Sequence, residues 1–380
     1  MAKPAVARRR MLALTGLLGL GGCSLFATPR TVPEPLPAAS GGLSVAPAWA
    51  LPLGARSGIG FAPVALGDAA WAAAQDGTVL RVSLDDGRLA WRSSIGQPLT
   101  AGVGCDGTTL VVATRDGTLV ALDAADGRTR WSAPVAGEVV TPPAVADGTV
   151  LVRTTDSRVL AFDASSGARR WVFSRQSPAL VLRHSGGMAM VPGLGFVGLP
   201  GGRIVALALP TGAPRWEVPF AQPRGATELE RVADVVGQPL VIGRELCAVT
   251  YQGRIGCIEL ASGAPVWVRE FSSAVGLDVD NLGVVAPDAD DTVHAFDRRG
   301  APVWQRKGFA RRRLSAPLIV GDAVALGDFE GHVLWLGRAD GALLRVSTTD
   351  GTPIVAPPAA AASQLMVQTS GGALHAFRIG

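Results

Sequence analysis

Ala161-Phe162-Asp163-Ala164-Ser165-Ser166-Gly167-Ala168-Arg169-Arg170-Trp171 is the stretch that decides the fold, because its arrangement returns along most of the chain. Each copy is an apolar strand, a turn ending in Gly, and a Trp four residues on: Gly87 to Trp91, Gly127 to Trp131, Gly167 to Trp171, Gly212 to Trp216, Gly263 to Trp267 and Gly300 to Trp304. Successive Trp residues lie 40, 40, 45, 51 and 37 positions apart. Trp49 leads the series by 42, and after Gly341 the Trp slot holds Arg345, so the chain carries eight slots. Eight also emerges from the strand before the Gly turn, which begins near Thr78, Thr118, Arg158, Arg203, Arg254, Thr292, His332 and Ala373. A unit of about 40–45 residues with four short strands is a propeller blade, which cannot bury both of its faces alone. The expected fold is all-β: an eight-bladed β-propeller of four-stranded antiparallel blades over residues 45–380.

The two ends of the repeat region predict how the ring closes. Residues near Trp49 supply only a Trp-type outer strand, whereas Gln364 to Ile379 supply inner strands and stop before an outer one. The N-terminal strand is therefore expected to complete the C-terminal blade and remove its exposed edge. The recurring Trp residues read as packing elements between neighbouring sheets rather than as a ligand cage. Asp123, Asp163 and Asp297 each end a strand before a Gly turn, and read as turn residues that bond local backbone amides.

Composition agrees with many short strands: 48 Gly, 27 Pro, 48% hydrophobic and only 17% charged residues. The formal charge of +4 is carried by the first segment, where Lys3, Arg8, Arg9 and Arg10 stand without any acid. Beyond residue 22 the chain has 31 basic and 31 acidic side chains, so nothing electrostatic points to a nucleic acid. Those four cations precede an apolar run, Met11 to Leu20, that is too short to span a bilayer, the pattern of a signal peptide over residues 1–22. It ends in Leu20-Gly21-Gly22-Cys23, which resembles the bacterial lipobox and makes Cys23 the expected lipidation site. Ser24 follows, and the absence of Asp there favours sorting to the outer membrane in lipoproteins of this pattern. Residues 23–44, rich in Pro, Ala, Gly and Ser, read as the lipidated Cys and a flexible tether.

Signatures of chemistry are missing from the sequence. His184, His294, His332 and His375 fall in different repeats, and no His-Glu-x-x-His, paired Cys-x-x-Cys, Walker loop or Gly-x-Ser-x-Gly elbow occurs. Neither a catalytic residue nor a cofactor nor a metal is expected. A hairpin read from Glu245 to Glu259 through Gln252-Gly253 brings Cys247 and Cys257 nearly opposite each other. In an oxidising compartment they could be bridged; a change of turn register by one residue would leave two free thiols.

The Ala-x-Asp-x-x-x-Gly-x-x-x-Trp motif resembles the repeats of two eight-bladed families, the pyrroloquinoline-quinone dehydrogenases and the outer-membrane assembly factor B (BamB) family. The quinone enzymes are longer and place vicinal cysteines over the cofactor, a pair this chain lacks. Resemblance to the BamB family runs from the lipobox through all eight repeats. It is sharpest at Ser177-Pro178-Ala179-Leu180-Val181-Leu182-Arg183 and at Gly225 to Val235. In that family the corresponding Leu-x-Leu-Arg and Asp-x-Asp segments bind the periplasmic POTRA region of BamA, the barrel-inserting subunit.

The resemblance thus implies a non-catalytic scaffold of the β-barrel assembly (BAM) complex, lipid-anchored at the periplasmic face of the outer membrane. BamA and other subunits of the complex would be its partners, nascent barrel proteins a further one, and Leu180, Leu182, Arg183 and Asp234 the contacts. The second Asp of the family pattern is replaced by Val236. Both segments follow the Trp-type strand of consecutive blades, so they should emerge as neighbouring loops on one rim, with Leu180 and Leu182 on one side of an extended segment. Read from the residues alone, two arrangements stay open: an exposed Leu pair beside Arg and Asp, or a buried Leu pair with Arg183 stapled to Asp234. The rival function, a periplasmic quinone-dependent oxidoreductase or ligand-binding propeller, would require carboxylates and aromatics converging in the central funnel.

Overall fold

The computed structural model describes residues 1–2, 32–183 and 186–380; Cys23, with the signal segment, lies outside the described residues, as does His184. The described chain is eight four-stranded antiparallel sheets. In seven of them the strand order follows the sequence: blades 1 to 7 span residues 64–94, 99–134, 144–174, 188–219, 235–271, 278–306 and 318–348. Blade 8 is assembled from both ends of the chain. Ala359–Ala361, Gln364–Gln368 and Ala373–Ile379 supply its inner strands, and Val45–Pro52 is its outer one. The closing pair runs antiparallel with Pro47 opposite Phe377 and Trp49 opposite Ala376.

Both faces of every blade are covered, which is why strands such as Ala69–Ala73 and Thr109–Thr114 are buried along their whole length. The apolar core is accordingly a set of slabs between neighbouring blades. At the seam between blades 2 and 3, for example, Val111 and Leu119 pack with Val150 and Leu160.

Each seam but one is locked by the repeated Trp. Trp131 of blade 2 lies on the Gly turn of blade 3, so close that a Cβ added to Gly167 (φ +72°) would stand 2.6 Å from the ring. Its indole Nε1 donates to the carbonyl of Ala164 at 2.9 Å. The same bond runs from Trp49 to Leu84, Trp91 to Ala124, Trp171 to Leu209, Trp216 to Leu260 and Trp304 to Arg338. Only Gly fits under the ring, because the turn needs positive φ and the ring occupies the Cβ position. At the seam of blades 5 and 6, Trp267 covers Gly300 but its indole Nε1 has no hydrogen-bond partner among the described residues, and Arg269 Nε donates to the Gly300 carbonyl. The turn aspartates act locally: Asp123, Asp163 and Asp297 accept from the amides of Ala125, Ser165 and Arg299.

The exception is the seam between blades 7 and 8. Blade 8 has no Gly turn before its outer strand, because that strand comes from the other end of the chain, and the facing slot holds Arg345. Here the structure corrects the expected flexible tether, since residues 33–44 belong to the same compact unit as the propeller. Glu34 exchanges two hydrogen bonds with Ala310, and Arg312 Nε donates to the Glu34 carbonyl at 2.9 Å. Leu36 packs on the cluster holding Phe309 and Leu314, while the amides of Ser40 and Gly41 bond the carbonyls of Leu343 and Leu344 on the outer edge of blade 7. Residues 33–44 form a strap over the seam that the Trp lock leaves open. Low complexity hid this, because Pro-rich sequence has no periodicity yet leaves amides free to pair with a sheet edge.

Cys247 and Cys257 are directly paired in their hairpin, and their sulfurs are bonded at 2.01 Å. Cys105 is a free thiol.

Candidate partner-binding site

Because strands alternate in direction within a blade, the connections between blades and the turns between second and third strands emerge on one face of the ring. Both segments singled out by sequence lie on this connecting face: 175–187 joins blade 3 to blade 4, and 220–234 joins blade 4 to blade 5.

Asp234 organises them, and its place corrects the expectation that it is a surface contact. It is 1% exposed. One carboxylate oxygen accepts the Leu182 amide at 2.6 Å and the other the Gly201 amide at 2.9 Å. Its own carbonyl accepts the Tyr251 amide, so one residue ties together the blade 3–4 connection and the turns of blades 4 and 5. Burial raises its pKa, an effect that the two amides and the nearby Arg153 cation only partly offset. Asp234 is thus a positioning residue. The family position replaced by Val236 is buried as well, at 3% exposure, which suits an apolar side chain.

The pinned segment presents its residues unequally. Leu180 is exposed (42%), whereas Leu182 is half-buried against the cluster that includes Val236 and Cys247. A bend at Ala179 and Leu180 breaks the expected extended run, so the two Leu side chains have different surroundings. Arg183 does not reach Asp234; it pairs with Glu138 on the connection between blades 2 and 3, and both side chains remain partly exposed. The structure therefore joins features of both arrangements: a staple at Asp234 that works through backbone amides, and an exposed Leu beside an exposed Arg.

Sequence reading missed Leu229 and Glu138. Leu229 is 71% exposed at the crest of a single turn closed by Thr227 and Glu230, whose carboxylate accepts the amides of Ala226 and Thr227. Those amides hold the Glu230 carboxyl below its usual range. The Thr-x-x-Glu spacing of a capping box is the signal that could have found it. Nothing local marks Glu138, whose partner lies 45 residues away.

A depression on this face, beside blades 1 and 2, has one carboxylate, Glu138, and one aromatic ring, the buried Phe61, in its lining. Acids and aromatics do not converge in this depression. Elsewhere, Asp328, Glu330 and His332 lie close enough together to hold a cation, but Arg312 already pairs with both carboxylates.

The fold defines a class: an eight-bladed propeller with quinoprotein-type repeats. Residues 75–306 match the family model described as outer membrane protein assembly factor BamB. The chain is 44% identical to the protein of that name from Bordetella pertussis, with 99% of this chain and 98% of the relative covered. It is 39% identical to that from Burkholderia pseudomallei, with 95% of each covered. The crystal structure of BamB from Moraxella catarrhalis superimposes with a TM-score of 0.81 at 27% identity, covering 88% of this chain and all of that one. The quinohemoprotein alcohol dehydrogenase of Comamonas testosteroni (TM-score 0.70, 15% identity, 88% and 76% covered) shares the fold alone. This chain belongs to the BamB family of outer membrane protein assembly factors.

Proposed function

We propose that this protein is a non-catalytic scaffold subunit of the BAM complex. It is anchored by a lipid on Cys23 at the periplasmic face of the outer membrane and docks its connecting face onto the POTRA region of BamA. The observation that carries the reading is the Leu180–Arg183 segment: an exposed Leu and an exposed Arg on a connection pinned from beneath by a buried Asp234. An apolar anchor inside a charged border, held rigid before the partner arrives, is what a protein docking site needs, because little conformational freedom remains to be lost on binding. Assistance to folding and insertion of barrel proteins would follow from holding BamA's periplasmic domains in place, and no bond chemistry is required of this chain.

The test is the affinity of the protein for the periplasmic region of BamA, with wild type beside Leu180→Ala and Arg183→Glu. Both side chains are exposed, so the variants keep the fold, which Leu182→Ala would not guarantee. Binding by wild type and its loss in both variants is the expected result; a wild type that does not bind removes the reading. Cys23→Ala is expected to release the protein from the membrane fraction.

A further inference from the structure

The connecting face carries a second element, a depression beside blades 1 and 2. Ile59, Phe61, Val140, Arg115, Glu138 and Arg183 line this depression. Ile59 is 55% exposed, yet its backbone is closely held. The Phe61 amide closes a turn onto the Gly58 carbonyl at 3.0 Å, and the Gly60 carbonyl accepts the Gly102 amide of blade 2 at 2.9 Å. A Cβ on Gly60 would meet the Thr100 carbonyl oxygen at 2.5 Å, so the turn lies directly against its neighbour. Ile59 is an apolar knob on a held turn, and the buried Phe61 and Val140 line the same depression, at 2% and 5% exposure.

Charge among the residues lining the depression is unbalanced. Arg115 projects from the turn of blade 2, is exposed, and makes no ion pair or side-chain hydrogen bond among the described residues. Asp116, the next residue, accepts the Thr114 hydroxyl, and Asp76, on the matching turn of blade 1, accepts the Thr78 amide at 2.9 Å; neither lines the depression. Arg183 shares the depression and pairs with Glu138, so two guanidinium groups have one carboxylate between them. A concave site with surplus charge of one sign concentrates its field on an oppositely charged group that enters it.

Arg183 belongs both to this depression and to the Leu180 segment, which makes the two surfaces continuous. We infer that the partner that takes Leu180 also places an acidic segment in this depression, with a carboxylate between Arg115 and Arg183 and an apolar side chain on Ile59. This rests on the docking reading above. It predicts that Glu138 competes with the incoming carboxylate for Arg183.

The experiment compares the full chain, purified in detergent, with its Arg115→Glu, Ile59→Ser and Glu138→Gln variants for binding to the periplasmic region of BamA over a range of ionic strength. Arg115→Glu is expected to weaken binding on the order of tenfold and to flatten its dependence on salt. Ile59→Ser weakens binding without changing that dependence, and Glu138→Gln tightens it. If Leu180→Ala weakens binding while Arg115→Glu and Ile59→Ser leave affinity and salt dependence unchanged, the depression is not part of the interface and the inference falls, although the docking reading stands. Weaker binding by Glu138→Gln overturns the competition argument. A wild type that fails to bind removes both.

Discussion

Asp234→Ala would remove the acceptor of two buried backbone amides at once. The bonds lost are those from Leu182 (2.6 Å) and Gly201 (2.9 Å), and hydrogen bonds to a charged acceptor contribute about 1.5–3 kcal/mol each. The Arg153 cation also loses its nearby opposite charge. Against this, a buried carboxylate is itself unfavourable, as its raised pKa records. We therefore expect a net loss of about 2–4 kcal/mol for Ala. Asn keeps one carbonyl oxygen and turns an amino group toward the second amide, for a loss of about 1–2 kcal/mol. Urea unfolding of residues 33–380 should show the midpoint falling at unchanged slope. Affinity for BamA should fall with it, because the Leu180–Arg183 segment loses its pin. The pH dependence has a definite sign. The folded-state pKa is raised, so Asp234 contributes most to stability below its unfolded value of about 3.8, and that contribution is lost as pH rises through the folded value. Wild type should thus gain on the Asn variant as pH falls from neutral toward that range. An Ala variant as stable as wild type, or one whose Leu182 amide stays protected from hydrogen exchange, would refute the pin.

Deleting residues 33–44 should lower stability by about 2–3 kcal/mol in the same unfolding assay, through lost contacts of Leu36 and Leu43 and the Arg312 bond. An unchanged midpoint would show that the strap contributes nothing to the ring. Gly167→Ala adds a Cβ 2.6 Å from Trp131 at φ +72° and should cost about 2–4 kcal/mol. Combined with Trp131→Ala, itself worth about 3–5 kcal/mol, the pair should destabilise by less than the sum of the two, because the clash is gone; strict additivity would refute the lock. In residues 33–380, which lack Cys23, unreduced protein should be alkylated slowly and only at Cys105, whose thiol burial pushes up to about 11, while Cys247 and Cys257 react only after reduction. Rapid labelling of two thiols without reductant would contradict the bridge.

What the sequence determined by itself is whatever repeats or is local. Trp four residues after Gly recurs because each blade meets its neighbour in the same way, so one packing rule fills seven of the eight slots, and its departure, Arg345, faces the blade that the chain's two ends build together. The pairing of Val45–Pro52 with Ala373–Ile379 follows from which strands each end lacks. The hairpin that opposes Cys247 and Cys257 is likewise a matter of short-range register.

Only the tertiary structure decided the connecting face. Asp234 is buried because its partners are backbone amides 52 and 33 residues away, and an amide carries no side-chain signature. Leu180 and Leu182 look alike in sequence, yet a bend and the neighbouring blade expose one and half-bury the other. The strap at 33–44, the Arg183–Glu138 pair and the Ile59 knob all depend on which distant segment the closed ring brings alongside. Irregular connections have no period to read, so the ring was legible residue by residue, whereas the surface it displays came into view only when the blades were set side by side.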